Sequence, residues 1–268
     1  HVTLGNANRY EEILEQYTQE TAGMSGAMAG ASRYARLHTH AESTHEEALR
    51  DVTAGVMTPV LVGFVMWLLG RAERQNLECL YFTSRDGYHL VPIARRLAPL
   101  VDVDCGFEYL YLSRASVSAA HSDPGKIESA WERHERASGE ELLARLGLSL
   151  EEVESHVSRV EAAHLRTEPV TEEGKKVIRK VVKNEENKLG NENRNVLCRY
   201  VRENKIGEND GGFVDIGWRG TIHGYLNEVL VDEGILSEPL PGFFFGLDPE
   251  QQVYPSCRAA YFFDKHRG

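Results

Sequence analysis

The stretch YFTSRDGYHL, residues 81–90, places an arginine, an aspartate and a glycine directly after a short apolar run. Residues 77–82, LECLYF, have the length and composition of a buried strand, and a helical pattern resumes at Leu90. A second stretch, GGFVDIGWRGTIHGYL (residues 211–226), repeats this order of strand, polar turn and helix. Because an apolar strand followed by a crossover helix is typical of a parallel sheet covered on both faces, we expect an α/β fold.

The chain has three regions of different sequence character. Residues 77–123 and 209–268 alternate apolar strands with helices and predict the α/β core, with strands at about 78–83, 108–112, 212–216 and 242–246. Residues 1–76 predict an N-terminal helical segment, and residues 124–208 are helical and highly charged. We expect these two helical blocks to form a cap or hood, with residues 124–208 inserted beside the strand ends.

Composition and charge exclude some classes of partner. A net charge of −11 disfavours a nucleic-acid partner, because phosphate backbones attract basic surfaces. Residues 54–70 contain no charge, but they include Pro59 and reach only the short limit for a membrane span. Ser43 and Glu46 form a helix-capping pattern upstream, so a buried core helix is favoured over a membrane span. The four cysteines show no metal-binding spacing and predict free thiols in a reducing, cytoplasmic compartment.

Polar turns at the ends of the predicted strands indicate an anion site. Ligands of open parallel sheets bind outside the carboxyl ends of the strands, where both quoted turns and a third, Ser113-Arg114, are expected. Backbone N–H groups of a glycine-containing turn before a helix attract anions, and arginines add forked donors that suit phosphate. Since Asp86 and Asp215 would repel an anion, they favour sugar hydroxyls or a magnesium ion instead. The pattern therefore predicts a sugar with phosphates at two ends, bound with metal.

The residues also resemble a known family. VDIGWRGT (residues 214–221) resembles a degenerate ribosyl-phosphate loop of the phosphoribosyltransferases, and YFTSRDGYHL is similar to the pyrophosphate loop of that superfamily. Together with YLSRAS (residues 111–116), these motifs resemble the phosphoribosyltransferase-like domain of bacterial surface-polysaccharide biosynthesis proteins, which is commonly fused to or paired with a HAD-family phosphatase. The resemblance covers about residues 75–120 and 209–268.

The resemblance implies a phosphoribosyltransferase-like (Rossmann-like) fold and a glycosyltransferase. The enzyme would move ribose 5-phosphate from phosphoribosyl pyrophosphate to a glycan acceptor in O-antigen or capsule synthesis, with Mg²⁺ as cofactor and release of pyrophosphate. Such an enzyme would be cytoplasmic, or peripheral to the inner membrane. A HAD-type phosphatase domain or partner would then remove the 5-phosphate.

The resemblance implies roles for residues on all three polar turns. Asp215, Arg85 and Asp86 are the expected catalytic residues, and Asp86 and Asp215 are the expected magnesium ligands. The donor is expected to contact Ser84, Gly87, Arg114, Gly217, Arg219, Gly220 and Thr221. The family usually has two adjacent acidic residues on the second strand, whereas here Val214 precedes Asp215. Asp86 and His89 are both candidates for the general base.

Other interpretations of the same residues stay open. Asp215 could cap the following helix, Arg85 and Asp86 could form a local ion pair, and His223 could be structural. A HAD-like phosphosugar phosphatase would use Asp215 as its nucleophile, although it needs a second Asp where Gly217 stands. A non-catalytic module that binds a glycan or a partner would use the same turns without magnesium.

Overall fold

A computed structural model describes residues 6–121, 137–145, 148–185, 191–248 and 258–262. The chain divides into two compact units. One comprises residues 1–71 and 92–103, and the other comprises residues 72–91 and 104–268. Residues 92–103 therefore group with the N-terminal helices, whereas the sequence pattern assigned them to the α/β core.

The first unit is helical. Its helices are α1 (Arg9–Gln16), α2 (Met24–His38), α3 (Thr44–Val52), a π-helical turn (Thr53–Met57) and the start of α4 (Thr58–Gln75). Glu11 on α1 is fully buried and accepts hydrogen bonds from Arg33 and Arg36 on α2. Burial disfavours the charged carboxylate, but the two guanidinium groups outweigh it and lower the pKa of Glu11. This ion-pair cluster joins α1 to α2.

The apolar stretch at residues 54–70 lies in a continuous helix, Thr44–Gln75. By length and composition this helix could cross a membrane, and 33% of its most apolar window is buried. Phe64, Val65 and Leu68 in its second half are buried, while Val52 and Met57 in its first half are exposed. Large apolar side chains are thus buried mainly in the second half, and the absence of a membrane span stays a prediction.

The second unit contains a five-stranded sheet. Its strands are β1 (Cys79–Thr83), β2 (Gly106–Leu110), β3 (Gly211–Trp218), β4 (Gly242–Leu247) and β5 (Arg258–Phe262). The order across the sheet is β2-β1-β3-β4-β5, and every pair is parallel. The predicted α/β class and parallel sheet are confirmed, with strand bounds within about two residues of those predicted for four strands.

Helices α6 (Arg114–Ala120), α11 (Asn191–Glu203) and α12 (Thr221–Asp232) pack on one face of the sheet. The core there includes Tyr81 and Phe213 from the strands and Val201 and Leu226 from the helices. Helix α5 (Gly87–Leu97) follows β1 and crosses the boundary between the two units.

Four further helices occupy the segment predicted to be an insertion: α7 (Gly139–Arg145), α8 (Leu150–Glu154), α9 (Arg159–Leu165) and α10 (Glu172–Glu185). They bury a separate apolar cluster around Leu143, Leu165 and Ile178. The predicted block of residues 124–208 thus contains two kinds of helix, because α11 belongs to the core of the sheet. Part of the block, residues 124–136, 146–147 and 186–190, lies outside the described residues.

Candidate functional site

The two polar turns follow neighbouring strands. Parallel pairing joins Phe82 of β1 to Val214 of β3, so both strands end at the same edge of the sheet. The order β2-β1-β3 also makes this the point where the chain's progress across the sheet reverses direction. A crevice at the carboxyl ends of strands on either side of such a reversal is the usual ligand site of open α/β sheets.

Asp215 lies between the two turns and is hydrogen-bonded to both strands. The Thr83 hydroxyl at the end of β1 donates to Asp215 Oδ1 at 3.2 Å, and the backbone N–H groups of Ile216 and Gly217 also donate to this carboxylate. Burial raises the pKa of Asp215, and the negative charge of Asp86 raises it further, whereas these hydrogen bonds lower it. The Asp215 carboxylate on β3 and the Asp86 carboxylate on the first turn therefore repel each other.

The first turn, Ser84–Gly87, is held by backbone contacts. The Ser84 N–H donates to Leu110 O at 2.9 Å, and its hydroxyl donates to Leu112 O at 2.6 Å. Gly87 begins α5 against β1, where a Cβ atom would lie 2.8 Å from Phe82 Cβ. Arg85 and Asp86 are exposed and, within the described part of the chain, neither forms an ion pair. The alternative in which these two residues close the turn as a local ion pair is therefore wrong.

The second turn, Gly217–Thr221, needs left-handed backbone. Gly217 has φ +95° and Gly220 has φ +62°, while Trp218 adopts φ +76° despite its side chain. A Cβ atom on Gly217 would lie 2.6 Å from Gly246 O, so the backbone of β4 also requires glycine there. Trp218 and Arg219 are exposed.

Gly220 is the N-cap of α12 and provides no side-chain hydrogen bond to the first turn of that helix. The alternative role of Asp215 as the cap of α12 is therefore wrong. Within the described part of the chain, no side-chain cap hydrogen bond satisfies the N–H groups that start this 12-residue helix, and the helix dipole favours negative charge at that end.

Sequence reasoning missed Arg258, the first residue of β5. Its guanidinium donates to Gly220 O at 2.9 Å and to Arg219 O at 3.4 Å, and its Nε donates to His223 Nδ1 at 3.3 Å. It also lies 5.7 Å from the centroid of the Phe244 ring. Arg258 thus fixes the carbonyl side of the second turn and adds positive charge beside it. The only sequence signal was an arginine at the start of an apolar strand.

His223 is structural. It is buried, and its Nε2 donates to Leu240 O at 2.8 Å, which leaves Nδ1 to accept from Arg258. Burial lowers the pKa of His223 to about 4, and the charge of Arg258 acts in the same direction. A neutral, doubly bonded ring is not available as a general base, whereas His89 and Asp86 are both exposed at the first turn.

The third turn joins the first through Leu112, which accepts from Ser84 and precedes Ser113. Ser113 caps α6 through a reciprocal pair with Ser116, and Arg114 begins that helix with an exposed side chain. The predicted site residues thus lie on turns connected by hydrogen bonds at three neighbouring strand ends, β2, β1 and β3.

Metal ligands are few in this arrangement. Among the described residues, no group of three or more His, Cys, Asp and Glu side chains could hold a metal ion alone.

The chain matches no protein-family model, and no curated protein is significantly similar to it.

Proposed function

We propose that this protein is a phosphoribosyltransferase that moves ribose 5-phosphate from phosphoribosyl pyrophosphate to a glycan acceptor. The observation that carries the proposal is the pair of glycine-containing turns at the reversal point of the sheet, with the Asp215 carboxylate between them. A donor with pyrophosphate at C1, phosphate at C5 and hydroxyls between them needs two anion sites separated by an acceptor of hydrogen bonds.

Each turn has a role in holding this donor. Ser84–Gly87 bind the pyrophosphate, with Arg85 as a charged donor and Arg114 from the neighbouring turn assisting. Asp215 accepts hydrogen bonds from the ribose hydroxyls. Gly217–Thr221 bind the 5-phosphate through Arg219 and the uncapped N–H groups of α12. Holding both ends of the donor fixes C1 for attack.

Magnesium fits the carboxylates of this site. Burial is the main cause that raises the pKa of Asp215, and the negative charge of Asp86 raises it further. Because the two carboxylates repel each other, a cation would relieve that repulsion. Mg²⁺ is usually held by one or two carboxylates together with substrate phosphates rather than by a full protein cage. Asp86 and Asp215 would hold it, and when bound it would neutralise charge on the pyrophosphate leaving group.

The reaction breaks the bond between C1 and the pyrophosphate oxygen and forms a bond from C1 to an acceptor hydroxyl. Arg85 stabilises the charge that develops on pyrophosphate, because a guanidinium donates forked, charge-assisted hydrogen bonds to phosphate oxygens. Asp86 of the first turn or His89 at the start of α5 takes the proton of the acceptor hydroxyl. A HAD-type phosphatase would then remove the 5-phosphate from the product.

Incubation with phosphoribosyl pyrophosphate, Mg²⁺ and a panel of glycan acceptors tests this function. We expect pyrophosphate release that depends on the acceptor and a product heavier by one ribose phosphate, measured by mass spectrometry. Release of inorganic phosphate from phosphosugars without transfer would instead indicate the phosphatase. Binding of glycans without any magnesium-dependent turnover would indicate a non-catalytic module.

Substitutions make the test specific to the site. Asp215→Ala should abolish transfer because orientation of the ribose is lost, while Arg85→Ala and Arg219→Ala should each cost about 2–4 kcal/mol of transition-state stabilisation. Asp210→Ala is the matched control, since Asp210 is an exposed carboxylate immediately before β3, at its other end. Transfer by Asp215→Ala at the unmutated rate would contradict the proposed donor site.

A further inference from the structure

Three tyrosines form an exposed aromatic ridge beside the first turn, which we call the tyrosine ridge: Tyr88, Tyr109 and Tyr111. Tyr88 is 68% exposed and Tyr111 is 77% exposed. The Tyr109 ring lies between them, with edge-to-face contacts at centroid distances of 6.4 Å to Tyr88 and 5.0 Å to Tyr111. Large aromatic rings so exposed next to one another indicate a contact surface, since burial of such rings is strongly favourable.

The tyrosine ridge is fixed relative to the first turn by hydrogen bonds. Ser84 donates to the carbonyls of Leu110 and Leu112, which flank Tyr111 in the chain. The Tyr111 N–H donates to the Tyr200 hydroxyl at 2.8 Å, so the backbone under this exposed ring is held from the other side as well. Tyr88 lies at the start of α5, and its N–H donates to Arg85 O at 3.1 Å. The rings therefore stand at set positions next to Arg85 and Asp86.

We propose that the tyrosine ridge binds sugar rings of a neutral glycan, and so forms the acceptor subsite. The negative face of an aromatic ring attracts the C–H groups on one face of a sugar, and the phenol hydroxyls can exchange hydrogen bonds with sugar hydroxyls. The assignment of this surface as an acceptor subsite rests on the proposed function, whereas the proposal that the tyrosine ridge binds sugar does not.

Charge around the tyrosine ridge selects the ligand class. The charged residues of the first turn, Arg85 and Asp86, are both exposed and of opposite sign. These two charges offset each other locally, and the net charge of −11 on the whole chain disfavours nucleic acids and acidic polysaccharides, which would otherwise also stack on aromatic rings. A neutral, hydroxyl-rich ligand meets no such repulsion.

Saturation-transfer NMR with the full chain tests the assignment. The probes are methyl glycosides of galactose, glucose, mannose, rhamnose and N-acetylglucosamine, the corresponding neutral disaccharides, and an oligothymidylate. We expect at least one glycoside to bind, Tyr111→Ala to weaken its binding by at least about tenfold, and Tyr111→Phe to retain most of it because the ring face remains. Tyr34→Ala removes a tyrosine of similar exposure, 62%, from the other unit and should leave binding unchanged.

The outcomes separate this proposal from the proposed function. Absence of glycoside binding to the unaltered protein, equal binding by Tyr111→Ala, or a stronger response to the oligothymidylate would each overturn the sugar assignment. Binding of phosphoribosyl pyrophosphate with Mg²⁺, followed separately by ³¹P NMR, reports on the donor site. If glycosides bind at the tyrosine ridge while phosphoribosyl pyrophosphate does not bind, the sugar subsite stands and the transferase proposal fails.

Discussion

Two glycines with nearly the same backbone conformation allow a direct test of how Arg258 holds the second turn. Gly220 has φ +62° and Gly234 has φ +64°. A Cβ atom at Gly220 would lie 2.7 Å from Nη1 of Arg258, whereas a Cβ atom at Gly234 would have nothing within 4 Å. Alanine at either position therefore meets the same left-handed strain, but only Gly220→Ala also displaces the guanidinium.

The two substitutions should differ in unfolding free energy by a calculable amount. Left-handed backbone costs a non-glycine residue about 1–2 kcal/mol, which is the whole expected effect of Gly234→Ala. Gly220→Ala also forces Arg258 from the carbonyls of Arg219 and Gly220, at about 0.5–1.5 kcal/mol for each hydrogen bond lost. We expect about 2–5 kcal/mol for Gly220→Ala in total.

Urea unfolding of the two variants, and of each combined with Arg258→Ala, measures the difference. Once Arg258 is truncated, the added cost of Gly220→Ala should fall to that of Gly234→Ala, while the cost of Gly234→Ala should not change. If the two glycine substitutions destabilise the protein equally, to within about 0.5 kcal/mol, then Arg258 does not hold the turn and the reasoning is refuted.

Two further predictions concern pH. The folded pKa of His223, about 4, is below its ordinary value of 6.5, so stability should be full above pH 6.5 and fall toward pH 4 as the unfolded state takes up a proton, by about 3 kcal/mol. His223→Gln should flatten that part of the curve when the urea midpoint is plotted against pH, whereas the exposed control His89→Gln should not. Equal slopes for the two variants would contradict a buried, neutral His223 ring. Asp215 has a raised folded pKa, so its charge opposes folding above that pKa and has no effect below the unfolded pKa of 3.8. Asp215→Asn should raise the unfolding free energy at pH 7 by about 0.5–2 kcal/mol but not at pH 3. An unchanged or lower value at pH 7 would show that the charged carboxylate does not destabilise the fold.

The sequence predicted the sheet and both turns because they depend on local patterns. Apolar runs such as LECLYF fix buried strands, and the charged residues after them are readable without tertiary knowledge. The pairing of β1 with β3 then brings both turns to neighbouring strand ends. The N-cap at Ser43 and the start of α12 at Thr221 are confirmed for the same reason.

Long-range contacts could not be read in this way. Arg258 reaches Gly220 across 38 positions of sequence, and nothing in its neighbours distinguishes it from a solvent-exposed arginine. The packing of α11 could not be read from the sequence either, because α11 carries charged residues as α10 does, and only its packing with Tyr81 and Phe213 assigns it to the core of the sheet. Charge pattern predicts an exposed face but does not identify the surface that the opposite face covers.

The second turn retains several features that the fold alone does not need. Trp218 adopts a left-handed conformation that disfavours a bulky side chain, Gly220 leaves α12 without a side-chain cap, and Asp215 is a carboxylate whose burial opposes its charge. The buried charge could be relieved by a single substitution, Asp215→Asn. Features that oppose stability and lie together at the reversal point of a parallel sheet indicate a site maintained for a ligand. A phosphate at the end of α12 would satisfy its N–H groups, and a cation or ribose hydroxyls would satisfy Asp215, so the proposed donor would supply what the turn lacks.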